Sequence, residues 1–208
     1  WTRTLKGQGA AVEKAVEKGK KAFVGPELRG KTLGVVGLGA IGVLVANAAV
    51  HLGMNVVGYD PMISVEHAWV LSRQVKRENS LDALFSSCDF ITLHVPLNDK
   101  TRGMIGRAQV GRMKDTAIVV NVARGAVTDE AALAEAVKNG RIAGLGVDVY
   151  STEPFGEGHP FYKLLGHRRV CLTPHMVWGP AEARARCVAT VAGNIRNFFV
   201  GKEQNRIV

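Results

Sequence analysis

The chain has 208 residues, 47% of them apolar and 22% charged, a composition that predicts a folded globular domain and argues against disorder. More than half of the formal charge of +9 lies in the first 31 residues, where eight lysines and arginines meet three glutamates. This local excess is explained more simply by a solvated helix face or a subunit surface than by nucleic-acid binding.

Three cysteines stand at wide spacings and fit neither a disulfide framework nor a metal or redox motif, so they favour a reducing, cytoplasmic setting. No group of histidines, cysteines and acidic residues has the spacing of metal ligands, and no metal is predicted. Residues 32–59 carry no Asp, Glu, Lys or Arg, but glycines at 34, 37, 39 and 42 divide them into a strand, a turn and a helix. Each piece is too short for a membrane span.

The predicted elements begin with a helix at residues 10–22, which ends before the Gly25–Pro26 pair. Short apolar runs then alternate with helix-like segments. The runs lie at residues 33–38, 55–60, 89–95, 116–122, 142–149 and 169–174. They are apolar at successive positions, as in strands that are covered on both faces. The pattern predicts an α/β fold with a doubly wound parallel sheet, and at most one short strand at residues 61–79.

Helix ends are marked by capping residues and glycines. Ser80 and Thr128 are the predicted N-caps of two helices, and Gly140 and Gly201 stand where helices are expected to stop. Residues 180–200 predict a long amphipathic helix.

The first strand leads into a glycine-rich turn with the spacing G-x-G-x-x-G, formed by Gly37, Gly39 and Gly42. In the Rossmann fold the first glycine permits a tight turn, the second lets a pyrophosphate approach the backbone, and the third lets helix and strand pack closely. The N–H groups near Ala40 and Ile41, at the start of the helix, would then face the anion. The context of strand, turn and helix predicts a dinucleotide site.

Asp60 ends the second predicted strand, 23 residues after Gly37. A carboxylate at this place can accept hydrogen bonds from both ribose hydroxyls of the adenosine, whereas a 2′-phosphate would meet like charge. The predicted cofactor is therefore NAD, in preference to NADP.

Three polar residues directly follow later strands: Arg124, Glu153 and His175. Because ligands bind beyond the carboxyl ends of parallel strands, these side chains are expected to share one crevice. Arg124 could hold the carboxylate of a 2-oxo acid and polarise its carbonyl, and His175 could supply the proton after hydride transfer. Glu153 is the candidate that would orient the imidazole and favour its protonated form.

The chain resembles the D-isomer-specific 2-hydroxyacid dehydrogenases from about residue 28 to 208. The motifs that carry the resemblance are ELRGKTLGVVGLGAIG, LHVPLNDKTRGMIG, NVARGAVTDEAAL, GVDVYSTEP and TPHMVWG. The resemblance implies substrate binding by Arg124, acid–base work by His175 and a partner role for Glu153. It also places a set of residues around NAD, with Asp148 near the nicotinamide carboxamide. That set is Ala40, Ile41, Asp60, Val95, Val122, Ala123 and Asp148.

Members of this family usually carry an additional substrate domain at the amino end, which is expected to be largely absent from this chain. Residues 1–25 are interpreted as a linking helix and loop, 26–180 as the Rossmann domain, and 181–208 as a helix and tail returning toward the substrate domain. The resemblance also implies a homodimer.

The implied reaction is hydride transfer between nicotinamide and C2 of a small D-2-hydroxy or 2-oxo acid. The substrate is expected to be 3-phosphoglycerate, hydroxypyruvate or glyoxylate, and residues 176–178 (MVW) are closer to the pattern of hydroxypyruvate and glyoxylate reductases. The alternative is a non-catalytic NAD-binding module, either an isolated cofactor domain or an NAD-responsive corepressor. His94 is interpreted as structural or near the adenine, and His159 is given no partner.

Overall fold

A computed structural model of the protein describes residues 5–22 and 24–206. The strands are β1 (Thr32–Val36), β2 (Asn55–Tyr59), β3 (Lys76–Arg77), β4 (Phe90–Leu93), β5 (Ile118–Asn121), β6 (Gly144–Val147) and β7 (Val170–Leu172). The α-helices are α1 (Val12–Ala22), α2 (Ala40–His51), α3 (Val65–Val70), α4 (Leu81–Ser87), α5 (Arg107–Val110), α6 (Glu130–Lys138) and α7 (Ala181–Phe199). Short 3-10 helices lie at Gly9–Ala11, Gly125–Val127 and Pro160–Leu164.

The strands form one parallel sheet of seven strands in the order β3-β2-β1-β4-β5-β6-β7, so the predicted fold class is confirmed. Five of the six predicted apolar runs contain a whole strand, the first overlaps β1 with its start one residue late, and the weakly patterned region contributes β3. The chain builds outward from β1 to β3, then crosses to the other side of β1 and continues to β7. The order therefore reverses between β1 and β4, where ligands bind in sheets of this type.

Both faces of the sheet are covered, as the apolar strands require. Val35 and Val36 are fully buried neighbours on β1, but they belong to two different core clusters because successive side chains of a strand point to opposite faces. Val35 packs in the cluster that includes Val43 of α2. Val36 packs in the larger cluster with Phe85 of α4 and other residues. The cores fix the sheet and leave its carboxyl edge to the connecting loops.

The predicted helix ends are partly correct. The Ser80 hydroxyl accepts a hydrogen bond from Ala83 N at 3.2 Å, so Ser80 is an N-cap as predicted. The prediction for Thr128 is wrong: the N-cap of α6 is Asp129, whose Oδ1 accepts from Ala132 N at 3.0 Å. The Thr128 hydroxyl instead donates to Gly125 O, which closes the preceding 3-10 helix.

The long helix α7 is present as predicted, but none of its residues is buried in this chain. Phe198 and Phe199, near its end, are 80% and 81% exposed. Gly201 follows with φ of 70°, in the left-handed conformation expected at a helix stop. No helix in the described part of the chain is both long and apolar enough to cross a membrane.

Candidate functional site

The glycine turn after β1 is shaped by close backbone contacts. Gly37 has φ of 92°, and a side chain there would come within 2.8 Å of the His94 carbonyl group. A Cβ at Gly42 would lie 1.9 Å from Gly37 O, so only glycine lets α2 approach the turn this closely. Gly39 differs because a Cβ built on it meets nothing within 4 Å. The turn is thus closed on its protein side and open beside Gly39, where the first N–H groups of α2 have no intrahelical acceptor.

The carboxylate of Asp60 lies next to this turn. Its Oδ2 accepts from Leu38 N at 2.8 Å, and its Oδ1 accepts from Met62 N at 2.8 Å. Asp60 therefore ties the end of β2 to the glycine turn. Each carboxylate oxygen can accept a further hydrogen bond, so the arrangement also suits a diol.

The other predicted cofactor residues follow the central strands. Val95 stands two residues after β4, and its Cγ1 would be 3.0 Å from a Cβ placed on Gly37. Val122 and Ala123 come directly after β5, and Ala123 is buried. These residues lie at the carboxyl edge of β4 and β5, on the same edge of the sheet as the glycine turn.

Glu153 and His175 form a direct pair. The Nδ1 atom of His175 lies 2.7 Å from Glu153 Oε2, and the two side chains are 42% and 34% exposed. The other oxygen of Glu153 accepts from Tyr150 N at 2.8 Å. The hydrogen bond from His175, followed by that from Tyr150 N, lowers the pKa of the Glu153 carboxyl below its ordinary value. An ionised Glu153 can only accept, so Nδ1 carries the proton and Nε2 remains for proton exchange.

The backbone of His175 adopts an uncommon conformation, with φ of 51°. Its N–H donates to Thr173 O at 3.0 Å, and its carbonyl accepts from the indole Nε1 of Trp178 at 2.8 Å. The backbone N–H and C=O of His175 are therefore both hydrogen-bonded, and this fixes the direction in which the imidazole leaves the backbone.

The carboxylate of Asp148 accepts hydrogen bonds from the residues on both sides of His175. Its Oδ1 accepts from the Thr173 hydroxyl at 2.5 Å and from Met176 N at 2.9 Å, and its Oδ2 accepts from Val177 N at 3.0 Å. Burial acts to raise the pKa of Asp148, but these hydrogen bonds outweigh it and the pKa is lowered. The structure thus gives Asp148 a part in shaping the His175 loop, while the predicted contact with a carboxamide stays a prediction.

Arg124 follows β5, which pairs with β6, and β6 in turn pairs with β7. The ends of β6 and β7 lead to Glu153 and His175. Its guanidinium Nη1 donates to Ala123 O at 2.7 Å, and the side chain is exposed. Asn121 was not among the residues predicted for the site, yet it braces the turn because its Nδ2 donates to Arg124 O and its Oδ1 accepts from Ala123 N. The signal for Asn121 was its place at the strand end in NVARG.

A second histidine–glutamate pair, formed by Glu130 and His159, was missed from the sequence. His159 Nε2 is 3.0 Å from Glu130 Oε2, so the expectation that His159 has no nameable partner is wrong. His94, by contrast, hydrogen-bonds Thr92, and burial lowers its pKa, as in a structural imidazole. Within residues 5–22 and 24–206, no group of His, Cys, Asp or Glu side chains could hold a metal ion.

A pocket of about 420 Å³ opens beside the Glu153–His175 pair. The residues that line it are Tyr150, Glu153, Pro154, Phe155, Pro174 and His175. The lining is mainly apolar, with one acid–base pair at its edge. It can hold a small organic molecule against the imidazole.

Comparisons with known proteins agree with this geometry. Residues 1–177 match the family model described as D-isomer specific 2-hydroxyacid dehydrogenase, NAD binding domain. The chain is 43% identical over 192 residues to D-3-phosphoglycerate dehydrogenase of Archaeoglobus fulgidus, covering 91% of this chain and 35% of that protein. It spans about a third of the length of the curated relatives that it matches.

Solved structures show the same architecture. D-lactate dehydrogenase from Lactobacillus jensenii, determined with NAD+, superposes with a TM-score of 0.80 at 26% identity, covering 100% of this chain and 65% of that one. A glyoxylate reductase from Paecilomyes thermophila superposes with a TM-score of 0.74 at 34% identity, covering 88% of this chain and 55% of that one.

Proposed function

Because the chain belongs to the D-isomer specific 2-hydroxyacid dehydrogenase family and contains its NAD-binding domain, we propose that it serves an NAD-dependent oxidoreductase acting on a small D-2-hydroxy or 2-oxo acid. The observation that carries the proposal is the 2.7 Å contact between Glu153 and His175 at the edge of a pocket. A carboxylate that orients an imidazole is the arrangement that a proton-transfer step requires.

NAD, when bound, supplies or accepts the hydride at C2 of the substrate. In the reducing direction, His175 donates the proton that the carbonyl oxygen needs, and Glu153 stabilises the imidazolium before transfer. In the oxidising direction, neutral His175 accepts the hydroxyl proton. Arg124 binds the substrate carboxylate. To do so, its guanidinium leaves its hydrogen bond with Ala123 O and turns toward the crevice.

The proposed cofactor site runs along the carboxyl edge of the central strands. The glycine turn and the start of α2 receive the pyrophosphate, because only the Gly39 side of the turn is open. Asp60 accepts hydrogen bonds from the ribose hydroxyls. The residues that follow β4, β5 and β6 complete the site, with Asp148 near the nicotinamide. The members of the site are Gly37, Gly39, Ala40, Ile41, Gly42, Asp60, Val95, Val122, Ala123 and Asp148.

For the substrate we propose 3-phosphoglycerate, or the pair hydroxypyruvate and glyoxylate. Similarity to the phosphoglycerate dehydrogenase of A. fulgidus favours the first. Two observations favour the second: the Met176–Trp178 segment after His175, and a pocket lining that offers no lysine or arginine among the described residues. A phosphate group would need such a cation nearby.

Cytoplasmic location and a homodimer are also part of the proposal. The cysteines Cys88, Cys171 and Cys187 are all free, as in a reducing compartment. The exposed apolar residues of α7 are suited to a subunit contact.

The proposal is tested by calorimetry with NADH, followed by NADH oxidation with 3-phosphohydroxypyruvate, hydroxypyruvate and glyoxylate. We expect heat of binding and turnover with at least one acid, and the preferred acid identifies the substrate. A titration without heat would contradict the cofactor site. Binding without turnover of any of the three acids would favour the alternative, a non-catalytic NAD-binding module.

Replacing Asp60 by alanine is expected to reduce the preference for NADH over NADPH. The ratio of the two dissociation constants should change by about tenfold or more, because a carboxylate repels a 2′-phosphate at this position. The ratio is the proper readout, since Asp60→Ala also removes the bonds to Leu38 N and Met62 N. Asp115→Ala is the control, because exposed Asp115 precedes β5 and lies at the opposite edge of the sheet. An equal ratio of the two dissociation constants in Asp60→Ala and Asp115→Ala would contradict the assignment of Asp60 to the ribose site.

A further inference from the structure

Glu130 and His159 form a buried pair to which the proposed mechanism assigns no task. The Glu130 and His159 side chains are only 7% and 6% exposed, and the two residues are 29 positions apart in the chain. Neither contributes to the lining of the pocket beside His175. Burying an acid with an imidazole costs free energy unless both are fully hydrogen-bonded. The hydrogen-bond partners of the two side chains therefore indicate what the pair does.

The state of His159 follows from its two ring nitrogens. Phe161 N donates to Nδ1 at 3.2 Å, so Nδ1 carries a lone pair and the proton sits on Nε2. Nε2 then donates to the Glu130 carboxylate at 3.0 Å. The rings of Tyr150, Phe155 and Phe161 surround the imidazole at centroid distances of 5.8, 4.8 and 5.3 Å. His159 is therefore fixed in both orientation and tautomer.

Glu130 also accepts two hydrogen bonds from one residue, Ser151. Its Oε1 accepts from Ser151 N at 2.8 Å, and its Oε2 accepts from the Ser151 hydroxyl. Ser151 stands between Tyr150, whose N–H binds Glu153, and Glu153 itself. The turn that presents Glu153 is thus bonded at one end to Glu130 and at the other to His175.

The 3-10 helix Gly125–Val127, which precedes α6, also packs against this turn through Gly125. A Cβ on Gly125 would lie 2.0 Å from the carbonyl carbon of Tyr150 and 2.2 Å from Ser151 N. The segment after Arg124 and the turn before Glu153 therefore touch backbone to backbone. Movement of Ser151 away from Glu130 would shift Glu153 relative to both His175 and Arg124.

We infer that Glu130 and His159 are positioning residues, which fix Ser151 and so hold the Glu153 carboxylate where it meets His175. The inference rests on the proposed acid–base role of the Glu153–His175 pair for its functional meaning. Its physical content, the placement of Glu153, can be measured without turnover.

The test uses Glu130→Gln and His159→Leu, with the pKa of Glu153 followed by ¹³C NMR of its carboxyl carbon. His175 and Tyr150 N hold this pKa low in the wild type, against the opposing charge of Asp148. If the turn loosens, the pKa rises toward its ordinary value. Loss of the Glu130 charge alone would act in the opposite sense, because a nearby negative charge raises the pKa of a carboxyl. An upward shift of the Glu153 pKa in Glu130→Gln therefore shows that the Glu153 carboxylate has moved away from His175.

Two further variants serve as rescue and control. His159→Gln keeps a donor for Glu130 and is expected to restore the low pKa of Glu153 that His159→Leu raises. Glu135→Gln removes a carboxylate from the exposed side of the same helix, where it pairs with Arg107, and should leave Glu153 unchanged. If Glu130→Gln fails to fold, Ser151→Ala removes only the hydroxyl contact and should still raise the pKa of Glu153.

A pKa of Glu153 that stays constant or falls in the folded variants would overturn the inference. Where the wild type turns over, kcat should fall about 10- to 100-fold in Glu130→Gln, with the dissociation constant for NADH unchanged. A wild type without turnover would contradict the proposed function and leave the NMR result to decide the position of Glu153. The two failures are therefore distinguishable.

Discussion

Replacing His175 by alanine is expected to lower kcat/KM for reduction of the preferred 2-oxo acid by about 10²- to 10⁴-fold, the usual contribution of a positioned acid–base group. The reason is the pair geometry: Nδ1 is engaged by Glu153 at 2.7 Å, which leaves Nε2 available for the proposed proton exchange. NADH oxidation gives the rate, and calorimetry should show NADH binding unchanged, because the proposed role of the imidazole is toward the substrate and not toward the cofactor.

Two further variants make this prediction specific. Arg124→Gln should also lose activity, with a higher KM for the acid, if the guanidinium binds the substrate carboxylate as proposed. His51→Gln is the control, since His51 is exposed at the far end of α2 and contacts Asn47 O. Turnover that persists at the wild-type rate in His175→Ala or Arg124→Gln would refute the assignment of these residues.

Replacing Gly125 by alanine is expected to lower the free energy of unfolding by about 3 kcal/mol, at the upper end of the range for overpacked sites. The added methyl group would overlap the Tyr150 carbonyl, whose oxygen lies 2.4 Å from the ideal Cβ position, as well as Ser151 N. These are backbone atoms of a packed turn, so relief requires the turn to move. Urea denaturation followed by circular dichroism measures the loss.

Gly156→Ala is the matched control for Gly125→Ala. Gly156 lies in the loop after Glu153, and a Cβ built on it meets nothing within 4 Å. Its stability should remain within about 0.5 kcal/mol of the wild type, apart from any effect on the unfolded chain. Equal unfolding midpoints for the two alanine variants would show that the Gly125 turn yields freely and does not brace Tyr150 and Ser151.

The fold could be predicted from the sequence because the main strands are buried on both faces and read as uninterrupted apolar runs. The two residues of β3 are both exposed and carry no such signal, so only their region could be indicated. The error at Thr128 has a similar cause. Thr128 and Asp129 are adjacent residues of capping type, and only the backbone conformation decides which one accepts the hydrogen bond.

The candidate site was predictable where it depends on topology. Polar residues after β6 and β7 had to meet at one edge of a parallel sheet, and the Glu153–His175 contact follows from that. The Glu130–His159 pair was not predictable, because it joins the start of a helix to a loop 29 residues later without any local pattern. The bonds of Asp148 to the His175 loop and of Arg124 to Ala123 O depend on side-chain rotamers, which the sequence does not encode locally.

The positive φ of His175 lowers the folding stability of the protein at the same residue that carries the imidazole of the candidate site. A side chain with a Cβ in the left-handed region costs about 1–2 kcal/mol, and glycine avoids this cost. Selection for heat resistance alone would therefore favour glycine or asparagine at position 175, and either would remove the imidazole. The imidazole at position 175 therefore carries a cost in folding stability, and strained conformations of this kind cluster at functional sites.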